Sequence, residues 1–152
     1  MSRDQTSKLG PPNIKLHTLK IWVHGREYPD ATDYWDGNWI LVTVECASQG
    51  AQVSVCGPII HLSELAEWVV AAEKLHGKLD GEANLICMEP ELSVKLALDK
   101  LGHMLMTVDI TPYRSQEHCF RFELDQSHLL EMIRGGRAVL DLYPIKAPLN
   151  AT

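Results

Sequence analysis

Alternating apolar and polar positions predict most of the secondary structure. A strand with one buried face has this period of two, and the period occurs in residues 16–24, 38–47, 51–60, 83–88, 92–101, 104–111 and 118–124. In the second of these segments the even positions are uniformly apolar, so Ile40, Val42, Val44 and Cys46 should face the core. The polar break at residues 48–50 predicts a hairpin between the second and third strands.

Apolar residues recur at helical spacing between residues 64 and 76. Leu65, Trp68 and Val69 begin one apolar face, which Ala72 and Leu75 continue. Ser63 is in position to cap the start of this helix, and Gly77 can end it. We therefore predict a helix whose apolar face lies across the sheet.

The sequence of the C-terminal third predicts a second, shorter helix followed by a strand. Ser127 can cap a helix that runs through Leu129 and Ile133, and Gly135-Gly136 should end it. The apolar residues 138–143 then predict an edge strand, and Gly57-Pro58 marks another edge or a bulge earlier in the chain.

The order of the predicted elements is strands, helix, strands, helix. Breaks of hairpin length predominate and long helical crossovers are lacking, which favours antiparallel pairing over parallel pairing. The sequence therefore predicts an α+β fold, mainly antiparallel, with one longer helix packed on a sheet face and a second short helix. We expect a flexible N-terminal tail at residues 1–13, one domain at residues 14–145 and a C-terminal tail at residues 146–152.

Charge narrows the classes of partner. The chain has 152 residues and a formal net charge of -6, with 14 Lys and Arg against 20 Asp and Glu. Nucleic-acid binding needs a concentrated basic face, so we expect no nucleic-acid partner, whereas a basic protein partner is compatible. Acidity that serves only solubility is the alternative explanation.

The cysteines and the first residues predict the compartment. Cys46, Cys56, Cys87 and Cys119 are widely spaced without a zinc or redox motif, so we expect buried free thiols rather than disulfides. Residues 1–12 lack the apolar core of a signal peptide, and no apolar run is long enough to span a membrane. We therefore expect a cytoplasmic protein without a membrane partner.

Sequence motifs for catalysis or cofactor binding are lacking. The chain has no Gly-x-Ser-x-Gly, no glycine-rich phosphate loop and no His-Glu-x-x-His, so we predict that it is not an enzyme and has no catalytic, cofactor-binding or metal site. Two metal sites are minority alternatives: calcium held by the acids of residues 30–36, and a metal held by His103, His118 and Asp109.

Acidic and aromatic residues alternate in the long connection before residue 38. We select them as a protein-contact surface, since aromatics supply desolvated anchors and carboxylates pair with basic groups of a partner. The predicted contact residues are Asp30, Asp33, Tyr34, Trp35 and Asp36. The competing explanations are that the acids cap turns and that the aromatic rings fill the end of the core.

Three sequence features resemble a known family. The Trp-Asp-Gly-Asn-Trp turn at residues 35–39 leads into a long strand, residues 62–68 read Leu-x-x-Leu-x-x-Trp, and an acid-proline step lies at Glu89-Pro90. Together these resemble the WapI-type family of small bacterial immunity proteins. The resemblance implies that a cognate toxin domain is bound and inhibited directly, with no cofactor. The alternative is a homodimeric scaffold or regulatory module that pairs through the predicted edge strand at residues 138–143.

Overall fold

A computed structural model describes residues 6–78 and 80–149. The elements follow in the order β1 (Ile14–Leu16), β2 (Leu19–Arg26), α1 (Tyr34–Gly37), β3 (Trp39–Ser48), β4 (Ala51–His61), α2 (Leu62–Lys78), β5 (Gly81–Ile86), β6 (Leu92–Leu98), β7 (His103–Ile110), β8 (His118–Asp125) and α3 (His128–Leu142). The strands form two antiparallel four-stranded sheets, β1-β2-β3-β4 and β5-β6-β7-β8. The α+β prediction is confirmed.

The hairpin predicted between the second and third strands is β3–β4. Ser48 pairs with Ala51, which leaves a two-residue turn in which Gly50 has φ +84°. Glycine adopts this left-handed conformation without steric cost. The four residues of β3 that were predicted to face the core, Ile40, Val42, Val44 and Cys46, are completely buried. Gly57-Pro58 lies in the edge strand β4.

The first predicted strand, residues 16–24, is two strands. The chain turns at His17-Thr18, where His17 has φ +55°, and Leu16 pairs with Leu19. Thr18 Oγ1 donates a hydrogen bond to Ala47 O at 2.5 Å, which ties the turn to β3. Leu16 and Leu19 both face the core although they are three residues apart, which one continuous strand with a period of two would not allow.

Helix α2 has the predicted apolar face but different ends. Trp68 and the other four predicted face residues are buried. The helix starts at Leu62, directly after β4, so Ser63 is not its cap; the Ser63 hydroxyl lies 2.6 Å from His61 Nδ1. Glu64 Oε1 instead accepts a hydrogen bond from the backbone N–H of His61 at 2.8 Å. Gly77 does not end the helix, which continues to Lys78.

Helix α3 contradicts two predictions for the C-terminal third. It runs through Gly135-Gly136 instead of ending there, and residues 138–143 are helical or follow the helix, so the predicted edge strand is wrong. The glycines are needed for close packing. A Cβ on Gly135 would meet Asn13 O, and a Cβ on Gly136 would meet Val69 Cγ2.

The two long helices each contact an edge strand of one sheet. Helix α2 packs along β5, and α3 packs against both α2 and β1. The division into residues 1–13, 14–145 and 146–152 stays a prediction, and residues 1–5 and 150–152 lie outside the described residues. Trp22 Nε1 donates a hydrogen bond to Gly10 O at 3.0 Å, so residue 10 contacts the first sheet.

All four cysteines are free thiols. Cys46 is buried and Cys87 is half-buried, whereas Cys56 and Cys119 are exposed. The prediction of buried thiols is therefore wrong for Cys56 and Cys119, which are exposed residues of the edge strands β4 and β8.

Candidate functional site

The predicted contact residues lie on and before the single helical turn α1. Asp33 precedes this turn, and its Oδ2 accepts a hydrogen bond from the backbone N–H of Asp36 at 2.9 Å. An aspartate is well suited to this position because its carboxylate satisfies a free donor at the helix start. Asp30, Trp35 and Asp36 are exposed, and Tyr34 is half-buried. The capping explanation thus applies to Asp33.

A buried asparagine fixes this turn against the C-terminal segment. Asn38 is 0% exposed, and its Nδ2 donates to Tyr34 O at 2.8 Å and to Lys146 O at 2.9 Å. Its Oδ1 accepts from the Lys146 backbone N–H at 2.8 Å and from Arg26 Nη1 at 3.2 Å. One side chain therefore joins the α1 turn to Arg26 of β2 and to Lys146, which lies 108 residues further along the chain.

Aromatic rings pack around the buried His61 at the end of β4. The ring centroids of Tyr34 and Trp39 lie 5.1 and 5.0 Å from that of His61, and the Trp35 centroid lies 5.9 Å from it. Tyr34 and Trp35 meet edge to face at 5.0 Å. This contact holds the Trp35 ring at the surface, where it is 55% exposed.

The two basic side chains beside the turn bind backbone carbonyls. Arg26 donates to Gly37 O at 2.7 Å and to Pro144 O at 2.5 Å, and Lys146 Nζ donates to Pro29 O and Ala31 O at 2.7 and 2.9 Å. Burial lowers the pKa of the Arg26 guanidinium, and interaction with Tyr143 opposes that shift. These cations stabilise the loop and do not neutralise its carboxylates.

Three glutamates that were not predicted as contact residues lie in the same cleft as Asp36. Glu27, Glu89 and Glu91 line one cleft of about 380 Å³ together with Asp36. The cleft wall also contains Tyr28, Trp39 and residues 56–59. The Glu89-Pro90-Glu91 step was a visible signal in the sequence, but only the fold shows that it faces Asp36.

Glu64 attaches the Glu89-Glu91 segment to the start of α2. Its Oε2 accepts a hydrogen bond from the Met88 backbone N–H at 2.7 Å, while its other oxygen binds His61 N. Burial, followed by the negative charges of Glu64, Glu91 and Glu89, raises the pKa of the Cys87 thiol to about 12. Burial is the main cause of this raised pKa, and the three nearby carboxylates add to it.

The carboxylates of the cleft have no cationic partners within residues 6–78 and 80–149. The ion pairs there are Asp99–His103 and Glu73–Arg137, and neither lies in the cleft. Glu91 Oε2 is buried without a hydrogen-bond partner. The arrangement can therefore accept basic groups from another molecule.

The described part of the chain contains no group of three or more His, Cys, Asp or Glu side chains that could hold a metal ion. The proposed partnership of His103 and His118 is wrong, because β7 pairs with β8 so that His103 lies opposite Asp125 and His118 lies opposite Ile110. The two histidines occupy opposite ends of the strand pair, roughly 20 Å apart at about 3.3 Å per residue.

The fold and this surface define an α+β protein with an exposed, acidic and aromatic face suited to a basic partner. The chain belongs to the Immunity protein WapI-like family, whose model matches residues 12–144. No curated protein and no solved structure matches the chain. Among the described residues, no helix combines the length and the apolar character needed to cross a membrane.

Proposed function

We propose that the chain is an immunity protein that neutralises a cognate toxin by binding it directly, without catalysis and without a cofactor. We call its binding surface the acidic face, which comprises Glu27, Tyr28, Asp30, Asp33, Tyr34, Trp35, Asp36, Glu89 and Glu91. Family membership supports a toxin as the partner. The observation that carries the proposal is the set of carboxylates left without ion pairs beside exposed aromatic rings.

The charge of the acidic face indicates the chemistry of the partner. Glu27, Asp36, Glu89 and Glu91 line one cleft, and Asp30 lines an adjoining one with Glu27 and Asp36. Like charges brought together on a surface attract a basic partner from a distance and set its orientation. We therefore expect the toxin to present lysines or arginines, and we expect association to slow as the salt concentration rises.

Exposed rings supply the apolar contribution to binding. Trp35 is 55% exposed and Tyr28 is 51% exposed. Tryptophan and tyrosine are common among the residues that dominate interface energetics, because a large ring is desolvated at a low cost in conformational entropy. Trp35 is also held by Tyr34 and His61, so little of its freedom remains to be lost on binding.

The backbone of the acidic face is ordered before any partner arrives. Gly37 N donates to Asp33 O at 3.1 Å, and His61 Nε2 lies 3.2 Å from Tyr34 O. Asn38 and Lys146 add the contacts described above. A surface that is already ordered avoids the entropy cost of folding a loop during association.

We place the protein in the cytoplasm as part of this proposal. Free thiols are typical of a reducing compartment, and Cys56 and Cys119 are both exposed and unpaired. Cell fractionation with an antibody against the native chain tests this placement, and recovery in the periplasmic fraction would contradict it.

The test of the proposal is binding to the toxin domain encoded beside the gene for this chain. We expect the purified chain to bind that domain and to protect cells that express it. Asp36→Lys and Glu89→Lys should each weaken binding by about tenfold, and the remaining binding should depend less on salt. Asp33→Lys is a poorer test because it also removes the cap of α1.

The matched control is Glu131→Lys, which reverses an exposed charge on α3 away from the cleft. It should leave affinity unchanged. Failure of the native chain to bind or protect would refute the proposed function, whereas equal losses in all three variants would show that net charge, not the acidic face, governs binding.

The alternative function is a homodimeric scaffold. The edge strand expected to form its interface is absent among the described residues, since Leu140 and Leu142 belong to α3. We therefore favour toxin binding. A solution mass equal to a stable dimer, whose interface protects Trp35 from solvent, would support the scaffold instead.

A further inference from the structure

The outer side of the first sheet contains a buried carboxylate that the acidic face does not use. Glu45 lies in the inner strand β3 and is 7% exposed. Its Oε2 has no hydrogen-bond partner, and the ion pairs among the described residues do not include it. Buried polar atoms in folded proteins are almost always hydrogen-bonded. This oxygen is therefore an acceptor that a bound ligand can use.

Glu45 lines a cleft of about 380 Å³ on this side of the sheet. Its lining includes residues of the segment 6–12 together with Lys20, Trp22 and Glu45. Small-molecule sites typically have volumes from about 300 Å³ upwards, and one water takes up about 30 Å³. The cleft is large enough for a small organic molecule.

A positive charge lies in the same cleft without neutralising Glu45. Lys20 is directly opposite Glu45 in the β2–β3 pairing, and both side chains line the cleft. No ion pair joins them. The cleft thus presents a hydrogen-bond acceptor and a cationic donor as separate groups.

Trp22 forms an apolar part of the cleft wall. Its side chain is 5% exposed, and its only N–H donates to Gly10 O at 3.0 Å. The indole therefore has no donor left for Glu45. Its ring can instead contact the hydrocarbon part of a ligand or lie near a cation.

We propose that this cleft binds a small zwitterion of the α-amino acid class. The ligand ammonium donates hydrogen bonds to Glu45, and the ligand carboxylate accepts from Lys20. Lys20 repels a ligand that has only a positive charge, and Glu45 repels a ligand that has only a negative charge. Neither kind of ligand can therefore pair with both groups. The site shares no residue with the acidic face, and its test does not depend on a toxin.

The experiment is an NMR titration of the full chain with each standard α-amino acid in turn. Putrescine serves as the probe with positive charge only, and acetate as the probe with negative charge only. We expect at least one amino acid to cause saturable shifts of the Lys20, Trp22 and Glu45 amide signals. Its affinity should exceed that of putrescine and of acetate by about tenfold or more.

Two variants and a control complete the experiment. Glu45→Gln and Lys20→Met should each weaken binding by about tenfold, and Glu123→Gln, at an exposed position of β8, should not weaken it. The proposal would be overturned if no amino acid bound saturably. It would also be overturned if putrescine or acetate bound as tightly as the best amino acid. If Glu45→Gln fails to fold, unchanged affinity in Lys20→Met overturns it equally well.

Discussion

Asn38 is a buried residue that fixes the backbone of the acidic face. Its side-chain amide donates to Tyr34 O and Lys146 O, and its oxygen accepts from Lys146 N and Arg26 Nη1. The sequence showed this residue only as the fourth member of a tight turn. Its partners come from residues up to 108 positions away, and no local pattern can reveal such contacts.

Asn38→Ala should lower the free energy of unfolding by about 3 kcal/mol, because several buried polar groups lose their partners together. Urea denaturation followed by circular dichroism measures this change. The matched control is Asn84→Ala: Asn84 is only partly buried and accepts one backbone hydrogen bond at 3.3 Å, from Leu96 N. The control substitution should lower the free energy of unfolding by less than about 1 kcal/mol. Equal losses would show that the Asn38 contacts contribute no more than an ordinary surface amide.

Glycines in the two long helices differ in how closely neighbouring elements pack against them. Gly135-Gly136 lies inside α3 and permits β1 and α2 to approach the helix backbone. Gly77 lies in the last turn of α2, where an added Cβ would meet no described atom within 4 Å apart from its chain neighbours and the backbone of its own helix. Glycine usually weakens a helix, so the sequence alone suggests a helix end at each place. Packing decides otherwise at residues 135 and 136.

Gly135→Ala and Gly136→Ala should therefore each destabilise the protein by about 1–3 kcal/mol, because the new methyl group overlaps Asn13 O or Val69. Gly77→Ala should stabilise it by about 0.5 kcal/mol through higher helix propensity. Thermal unfolding of the three variants measures both signs. A rise in melting temperature for Gly136→Ala would contradict the close packing of α2 on α3.

The acidic face is assembled from parts of the chain that are distant in sequence. One cleft brings together the segment before β3, the edge strand β4 and the segment after β5. Lys146, which follows α3, forms hydrogen bonds with Asn38 and Ala31 of the segment around α1. Glu64 connects two of these parts through hydrogen bonds to His61 and Met88. The face consequently depends on the complete fold.

Removal of residues 144–152 should leave the sheets and helices intact but loosen residues 29–38, because Arg26, Asn38 and the carbonyls of Pro29 and Ala31 lose their contacts. Amide hydrogen exchange at Asp36 and Gly37 should quicken, and affinity for the toxin should fall. The control is removal of residues 150–152 alone, which keeps Lys146. Unchanged exchange in the longer truncation would show that the C-terminal segment does not order the face.

The α+β class, the β3–β4 hairpin and the buried face of α2 were all predictable from the amino-acid sequence. These features arise from local backbone preference and from the period of apolar side chains, and both can be read along the chain. The family resemblance rests instead on three short motifs, at residues 35–39, 62–68 and 89–90. Three other features are visible only in the folded chain: α3 continues through Gly135-Gly136, Glu89 and Glu91 join Asp36, and Glu45 lies buried beside Lys20. Each of these depends on contacts between distant segments, whose stabilising energy outweighs local propensity and leaves no periodic signal in the sequence.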